Sequence, residues 1–129
     1  MDFKNLIVYQ KALQAYAEIR SHILVLNELD RSLKDQLRRA SLSIVLNIAE
    51  GSSRFSTADR KNFFVIARGS AFECAAILDV VSISTGTKFI AIDTQLVEIS
   101  KILYKMIDTL RDRPLHQSVS EKSNSKKAR

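Results

Sequence analysis

Glycine and proline are nearly missing from this chain, with three of one and one of the other in 129 residues. Sheet-rich folds need many tight turns, and tight turns draw on both, so the scarcity argues for long helices and few connections. The single cysteine, Cys74, excludes an internal disulfide. Tryptophan is absent, and no apolar run is long enough to cross a bilayer. Nor does a basic stretch followed by an apolar one open the chain, so the expectation is a cytoplasmic protein with no membrane association. The three glycines, Gly51, Gly69 and Gly86, stand too far apart for a phosphate loop. The two histidines, His22 and His116, lie on other segments than Cys74. Neither a metal site nor a histidine-activated thiol is expected, and no cofactor or small-molecule substrate is evident. The chain reads as a non-enzyme.

What is present is an ordinary globular balance, 46% apolar and 26% charged, enough for one domain to bury a core without staples. The net charge of +6 is unevenly placed. Residues 31–68 hold eight basic side chains (Arg31, Lys34, Arg38, Arg39, Arg54, Arg60, Lys61 and Arg68) against three acidic ones, a net +5. The segment 114–129 carries +3, while 1–30 and 69–113 stand at −1 each. Such a run is either a solvated helix face or the footprint of a polyanion-binding surface.

Periodicity and punctuation predict four helices. The first spans about 5–26, with Leu6, Tyr9, Leu13, Tyr16, Ile23 and Leu26 as its stripe and Asp2 or Asn5 as its cap. The second spans about 32–50, where Ser32 and Asp35 suit a capping pair and Gly51 suits a left-handed stop. The third starts at Thr57, with Ser56 as N-cap and Asp59 answering it, and ends before Gly86. The fourth runs from about Asp93 or Thr94 to Arg113, on a stripe of Leu96, Ile99, Leu103, Met106 and Leu110. Short connections make neighbours antiparallel, which predicts an all-α, up-down-up-down four-helix bundle over 1–113. Residues 114–129 have little to bury and read as a disordered basic tail.

Two helices are apolar beyond the needs of a monomer. The second carries Leu37, Ala40, Ile44 and Ile48 on one seam and Leu42, Val45, Leu46 and Ala49 on another. The third carries Phe64, Ala67, Ala71, Cys74, Leu78 and Val81 beside Phe63, Ile66, Ile77 and Val80. One wide stripe per helix suffices in a monomeric bundle, so the excess predicts a subunit interface.

Several segments taken together resemble a known family. They are Gln36-Leu37-Arg38-Arg39-Ala40-Ser41, Asn47-Ile48-Ala49-Glu50-Gly51 and Ala67-Arg68-Gly69-Ser70 with Glu73, after an opening Leu6-Ile7-Val8-Tyr9-Gln10-Lys11. The chain resembles the four-helix-bundle family of 23S rRNA intervening-sequence proteins over roughly residues 3–112. The resemblance implies an all-α bundle assembled into a ring-shaped homopentamer, encoded in bacterial genomes. It implies no activity.

Polar residues inside apolar surroundings mark a structural network: Arg39, Ser43, Asn47 and Glu50 on the second helix, Arg68, Ser70 and Glu73 on the third. If the turn centres near residues 54–56, antiparallel neighbours sum to about 110–112. That register sets Arg39 against Glu73, Ser43 against Arg68, and Glu50 against Arg60 or Lys61. Cys74 reads as a small buried residue, and the phenylalanines at 55, 63, 64 and 72 as core or interface. For function, the leading expectation is an oligomeric module that contacts RNA or DNA through Arg54, Arg60, Lys61, Lys34 and Arg38. The alternative is a structural or adaptor protein that holds another protein and binds no nucleic acid.

Overall fold

The computed structural model describes residues 2–111, which form four α-helices and no strand. They are α1 (Ile7–His22), α2 (Arg31–Ser53), α3 (Thr57–Thr85) and α4 (Ile90–Thr109). A 3-10 turn, Phe3–Asn5, precedes α1 and is capped by Asp2, whose carboxylate accepts from the Lys4 amide. Each helix packs on two others: α1 on α2, α2 on α3, α3 on α4 and α4 on α1. This closed cycle of neighbours is a four-helix bundle around one apolar core. The tail expected over 114–129 lies outside the described residues.

Side chains cap the N-termini of α2 and α3, whereas α1 and α4 start after Leu6 and Phe89 with no side-chain cap, so neither Asp2 nor Asn5 caps α1 as expected. Asp30 caps α2, its carboxylate accepting from the Leu33 amide at 2.7 Å. Ser32 and Asp35 therefore sit inside the helix, and Asp35 pairs with Arg38 instead. Ser56 caps α3 as expected, accepting from the Asp59 amide. The left-handed stop is Gly86 after α3, at φ 74°, and not Gly51. Gly51 is helical and buried, and α2 continues through Ser53. α1 stops at His22, four residues short of the expected end, and α4 starts at Ile90, before Asp93. Asp93 lies in the first turn of α4, where a carboxylate also suits the positive end of the helix dipole.

The buried face of α1 is Val8, Ala12, Ala15 and Ile19, continued by Ile23 beyond its end. Of the expected stripe, Ile23 is in the core and Leu6, Tyr9, Tyr16 and Leu26 are partly buried against it. The centre of the buried face lies one residue, about 100°, round the helix. Leu13 is 43% exposed, while Tyr9 and Tyr16 flank the core from its edge. Small residues at 12 and 15 leave the bulk to the Ile, Leu and Phe side chains of the facing helices. On α3, the seam of Phe64, Ala67, Ala71, Cys74, Leu78 and Val81 is wholly buried, as is Leu96–Ile99–Leu103 on α4.

At Gly51 the backbone of α2 comes tight against α3. A Cβ there would stand 2.8 Å from Phe64 Cε1 and 3.0 Å from Phe63 Cβ, and the Phe64 ring is fully enclosed and has nowhere to go. Alanine at 51 gains about 1 kcal/mol in helix propensity, but overpacking a tight core costs about 1–3 kcal/mol. Gly51→Ala is therefore expected to lower stability by a net of about 1 kcal/mol, read as a lower denaturation midpoint with an unchanged denaturant slope. A higher midpoint would mean that Phe64 has room to move.

Candidate nucleic-acid interface

The five basic residues expected to contact nucleic acid lie in two places. Lys34 and Arg38 stand one turn apart near the start of α2 and line a depression of about 450 Å³ with Arg31 and Asp35. Arg54 closes α2, and Arg60 and Lys61 open α3. Twenty residues of helix, about 30 Å, separate Lys34 from Arg54, so the segment that is contiguous in sequence makes two patches.

At the α2–α3 turn, Arg54 pairs with Glu50 one turn back and lies over the Phe63 ring, 4.8 Å from its centroid. Arg60 and Lys61 are half-buried, and the Arg60 Nε has no acceptor among the described residues. Between these cations Phe55 projects with its whole side chain in solvent, at 103% relative exposure. It is neither core nor buried contact within the chain. Arg38 at the other patch is held by Asp35 at 2.8 Å. Both carboxylate pairs are exposed, so they contribute little to stability and yield readily to a competing anion.

The polar network forms in part and in a different register. Ser70 donates its hydroxyl to Ser43 at 2.8 Å. Asn47 Nδ2 donates both to the Ser43 hydroxyl at 3.0 Å and to its carbonyl at 2.8 Å. Facing residues therefore sum to 113 at Ser43 and Ser70, above the 110–112 expected. On a helix each residue of shift turns a side chain by about 100°. This shift removes the other three pairings. Arg39 and Glu73 are both exposed and form no ion pair within the described residues. Glu50 binds Arg54 instead of Arg60 or Lys61. Arg68 turns away from Ser43 towards α4, donating from Nε to the Ser100 carbonyl at 3.4 Å.

Around Arg68 the structure assembles residues that sequence reasoning did not group. Its guanidinium lies over Phe72, 4.7 Å from the centroid, and over Tyr104, 5.3 Å from the centroid. Lys101 and Lys105 line the same depression. The signal available in sequence was two lysines four apart with a tyrosine between them, but segment 69–113 is net −1 and hid it.

Cys74 is buried, and burial, helped by the nearby Glu73 charge, pushes its thiol up to about 12. The thiolate is the nucleophile, so this residue is inert near neutrality. Among the described residues no three His, Cys, Asp or Glu side chains gather as metal ligands, and no helix is long and apolar enough to cross a membrane.

The profile of the 23S rRNA-intervening sequence protein family matches residues 4–105. A solved structure from Bacteroides thetaiotaomicron, described as a protein of unknown function from the S23 ribosomal protein family, superposes with a TM-score of 0.72 at 26% identity. The match covers 78% of this chain and 98% of that one. Among curated proteins there is no match.

Two outcomes check this geometry. In a double-mutant cycle, Ser43→Ala and Ser70→Ala should couple by about 0.5–1 kcal/mol, whereas Arg39→Ala should leave the stability of the single chain within about 0.5 kcal/mol. Native Cys74 should resist a thiol reagent at pH 8 and react fully once denaturant is added. Because the folded thiol titrates above the unfolded one, its contribution to stability is whole below about pH 9 and is lost as pH rises towards 12.

Proposed function

The chain belongs to the 23S rRNA-intervening sequence protein family, and from that footing we propose that it is a non-enzymatic, cytoplasmic, oligomeric bundle that binds RNA or DNA through a basic surface. The observation that carries this reading is the α2–α3 turn, where a fully exposed Phe55 stands among Arg54, Arg60 and Lys61. An exposed aromatic ring costs solubility unless it contacts something, and a ring among cations suits a base beside its phosphate. The helices run up-down-up-down. Gly51 at the Phe63–Phe64 level with Ser43 at Ser70 supports antiparallel α2 and α3, and Lys11 against Glu98 with Glu18 against Gln95 supports antiparallel α1 and α4.

The assembly surface is the outer seam of α2 and α3, where Leu42, Leu46, Ile66 and Val80 are 38–56% exposed, although Val45 and Ile77, expected on that seam, are buried in the core instead. Gly69 lies on the same side with open space where a Cβ would stand, which admits a neighbouring helix at close range. Arg39 and Glu73, unpaired with each other in the single chain, border this seam and are available to charges across it. Five copies in a ring is the number that the family resemblance favours. A ring repeats each basic turn around its axis, so one polyanion meets several subunits. The exposed seam also suits a protein partner, and that adaptor reading gains if nucleic acid fails to bind.

An anisotropy titration with RNA and DNA from low to physiological salt is the test. We expect weak binding with little sequence preference, falling steeply with salt as counterions are released. Neutralising Arg54, Arg60 and Lys61 to glutamine should weaken it several-fold, and removing residues 114–129, net +3, should weaken it further. No binding at low salt overturns the nucleic-acid reading. For assembly, light scattering should give a multiple of the 14.6 kDa chain mass. Gly69→Ala should stabilise the separate subunit by up to about 1 kcal/mol through propensity while weakening the oligomer. A monomer at micromolar concentration ends the seam argument.

A further inference from the structure

The groove between α3 and α4 carries a second cluster that the turn does not account for. The Arg68 guanidinium is held by two rings and by the Ser100 carbonyl, which fixes its plane. Only one of its five N–H donors is used by that carbonyl, and the two terminal nitrogens make no hydrogen bond among the described residues. Beside it, Lys101 and Lys105 stand one turn apart on α4 and line, with Arg68, Ser100 and Tyr104, a depression of about 510 Å³.

Like charges one turn apart on a helix repel. The acids three residues to either side do not relieve them, since Glu98 is held by Lys11 and Asp108 by Arg111. Neither lysine forms an ion pair among the described residues. Three cations thus line one depression that holds no carboxylate, and Asp108, which lines the adjoining hollow with Arg68 and Tyr104, is paired with Arg111. Phe72 and Tyr104 remain 52% and 53% exposed while they hold Arg68. A flat guanidinium with free donors suits a phosphate, and half-exposed rings suit a planar heterocycle.

We infer that this groove binds single-stranded nucleic acid, with a phosphate at Arg68, Lys101 and Lys105 and the adjoining base stacked on Tyr104. The inference rests on the nucleic-acid reading above and adds the strand class to it. In a duplex the base faces are already stacked on one another, so a duplex offers the lysines its phosphates but offers Tyr104 nothing. Lys61 lies seven residues before Arg68, two turns or about 10 Å along the same stripe of α3, so a strand leaving the groove runs onto the basic turn.

The test compares a labelled single-stranded oligouridine with an RNA duplex of equal length in anisotropy titrations at low salt. Tyr104→Leu should weaken the single strand about tenfold, the scale of one base–aromatic stack, and leave the duplex unchanged, while Tyr104→Phe restores binding. Lys101→Gln with Lys105→Gln, both at exposed positions, should flatten the salt dependence on the single strand by roughly 0.7 for each phosphate no longer neutralised. If these groove variants bind the single strand as well as the parent while Arg54→Gln with Lys61→Gln does not, the groove inference falls and the turn reading stands. Equal losses on single strand and duplex from Tyr104→Leu overturn the stacking role. Absence of binding to either probe overturns both.

Discussion

A glycine without a side chain, pressed against a phenylalanine without freedom, determines where α3 lies on α2. With the backbone of Gly51 at the Phe63–Phe64 level, Ser43 meets Ser70 two turns further along. Everything on α3 is then oriented. Phe64, Ala67, Ala71 and Cys74 point into the core, Ile66 and Gly69 point outward beside α2, and Arg68 points to α4. Had the two helices slipped by one residue, each of these faces would have turned by about 100°, and Arg68 would not have met Tyr104. Close packing of this kind is stiff because a filled interior has no volume into which a ring can shift.

That dependence explains which features were legible in the sequence. The helix number, the core seams of α2, α3 and α4, the burial of Cys74 and the Ser56 cap all rest on local periodicity or on a cap within four residues, and those patterns are strong. The α1 stripe was harder to read, because Leu13, Tyr9 and Tyr16 outweigh Ala12 and Ala15 in bulk, yet the alanines are inside. A small residue signals close approach as readily as it signals nothing, and only the facing helix decides. Gly51 posed the same ambiguity, being a helix stop by type and a contact residue by place.

The pairs between helices were least legible, because they depend on register. Arg39 and Glu73 have complementary chemistry, and so do Ser43 and Arg68, but complementary chemistry in sequence is abundant and says little about which partners meet. The actual hydrogen bonds join residues of modest chemistry, Ser43, Asn47 and Ser70, while the charged residues turn outward or to α4. Charge summed along the chain was likewise a poor guide. It merged Lys34 with Arg54, which are a bundle length apart, and it averaged Lys101 and Lys105 into an acidic segment although they face Arg68 across a groove.

The pairing of α1 with α4 bears on how the chain finds this structure. Contacts between α1 and α2, α2 and α3, and α3 and α4 each close a short loop, whereas Lys11 meets Glu98 across 87 residues. The entropy of bringing distant segments together grows with the chain between them, so this closure carries the largest loop cost of the four helix pairings. In the up-down-up-down arrangement proposed above, the start of α1 and the end of α4 share one end of the bundle, so a short linker between them makes their contact local. A circular permutant opened at the exposed Asn27 or Glu28, between the core residues Ile23 and Leu29, would thus keep the core side chains while changing the order in which their contacts form.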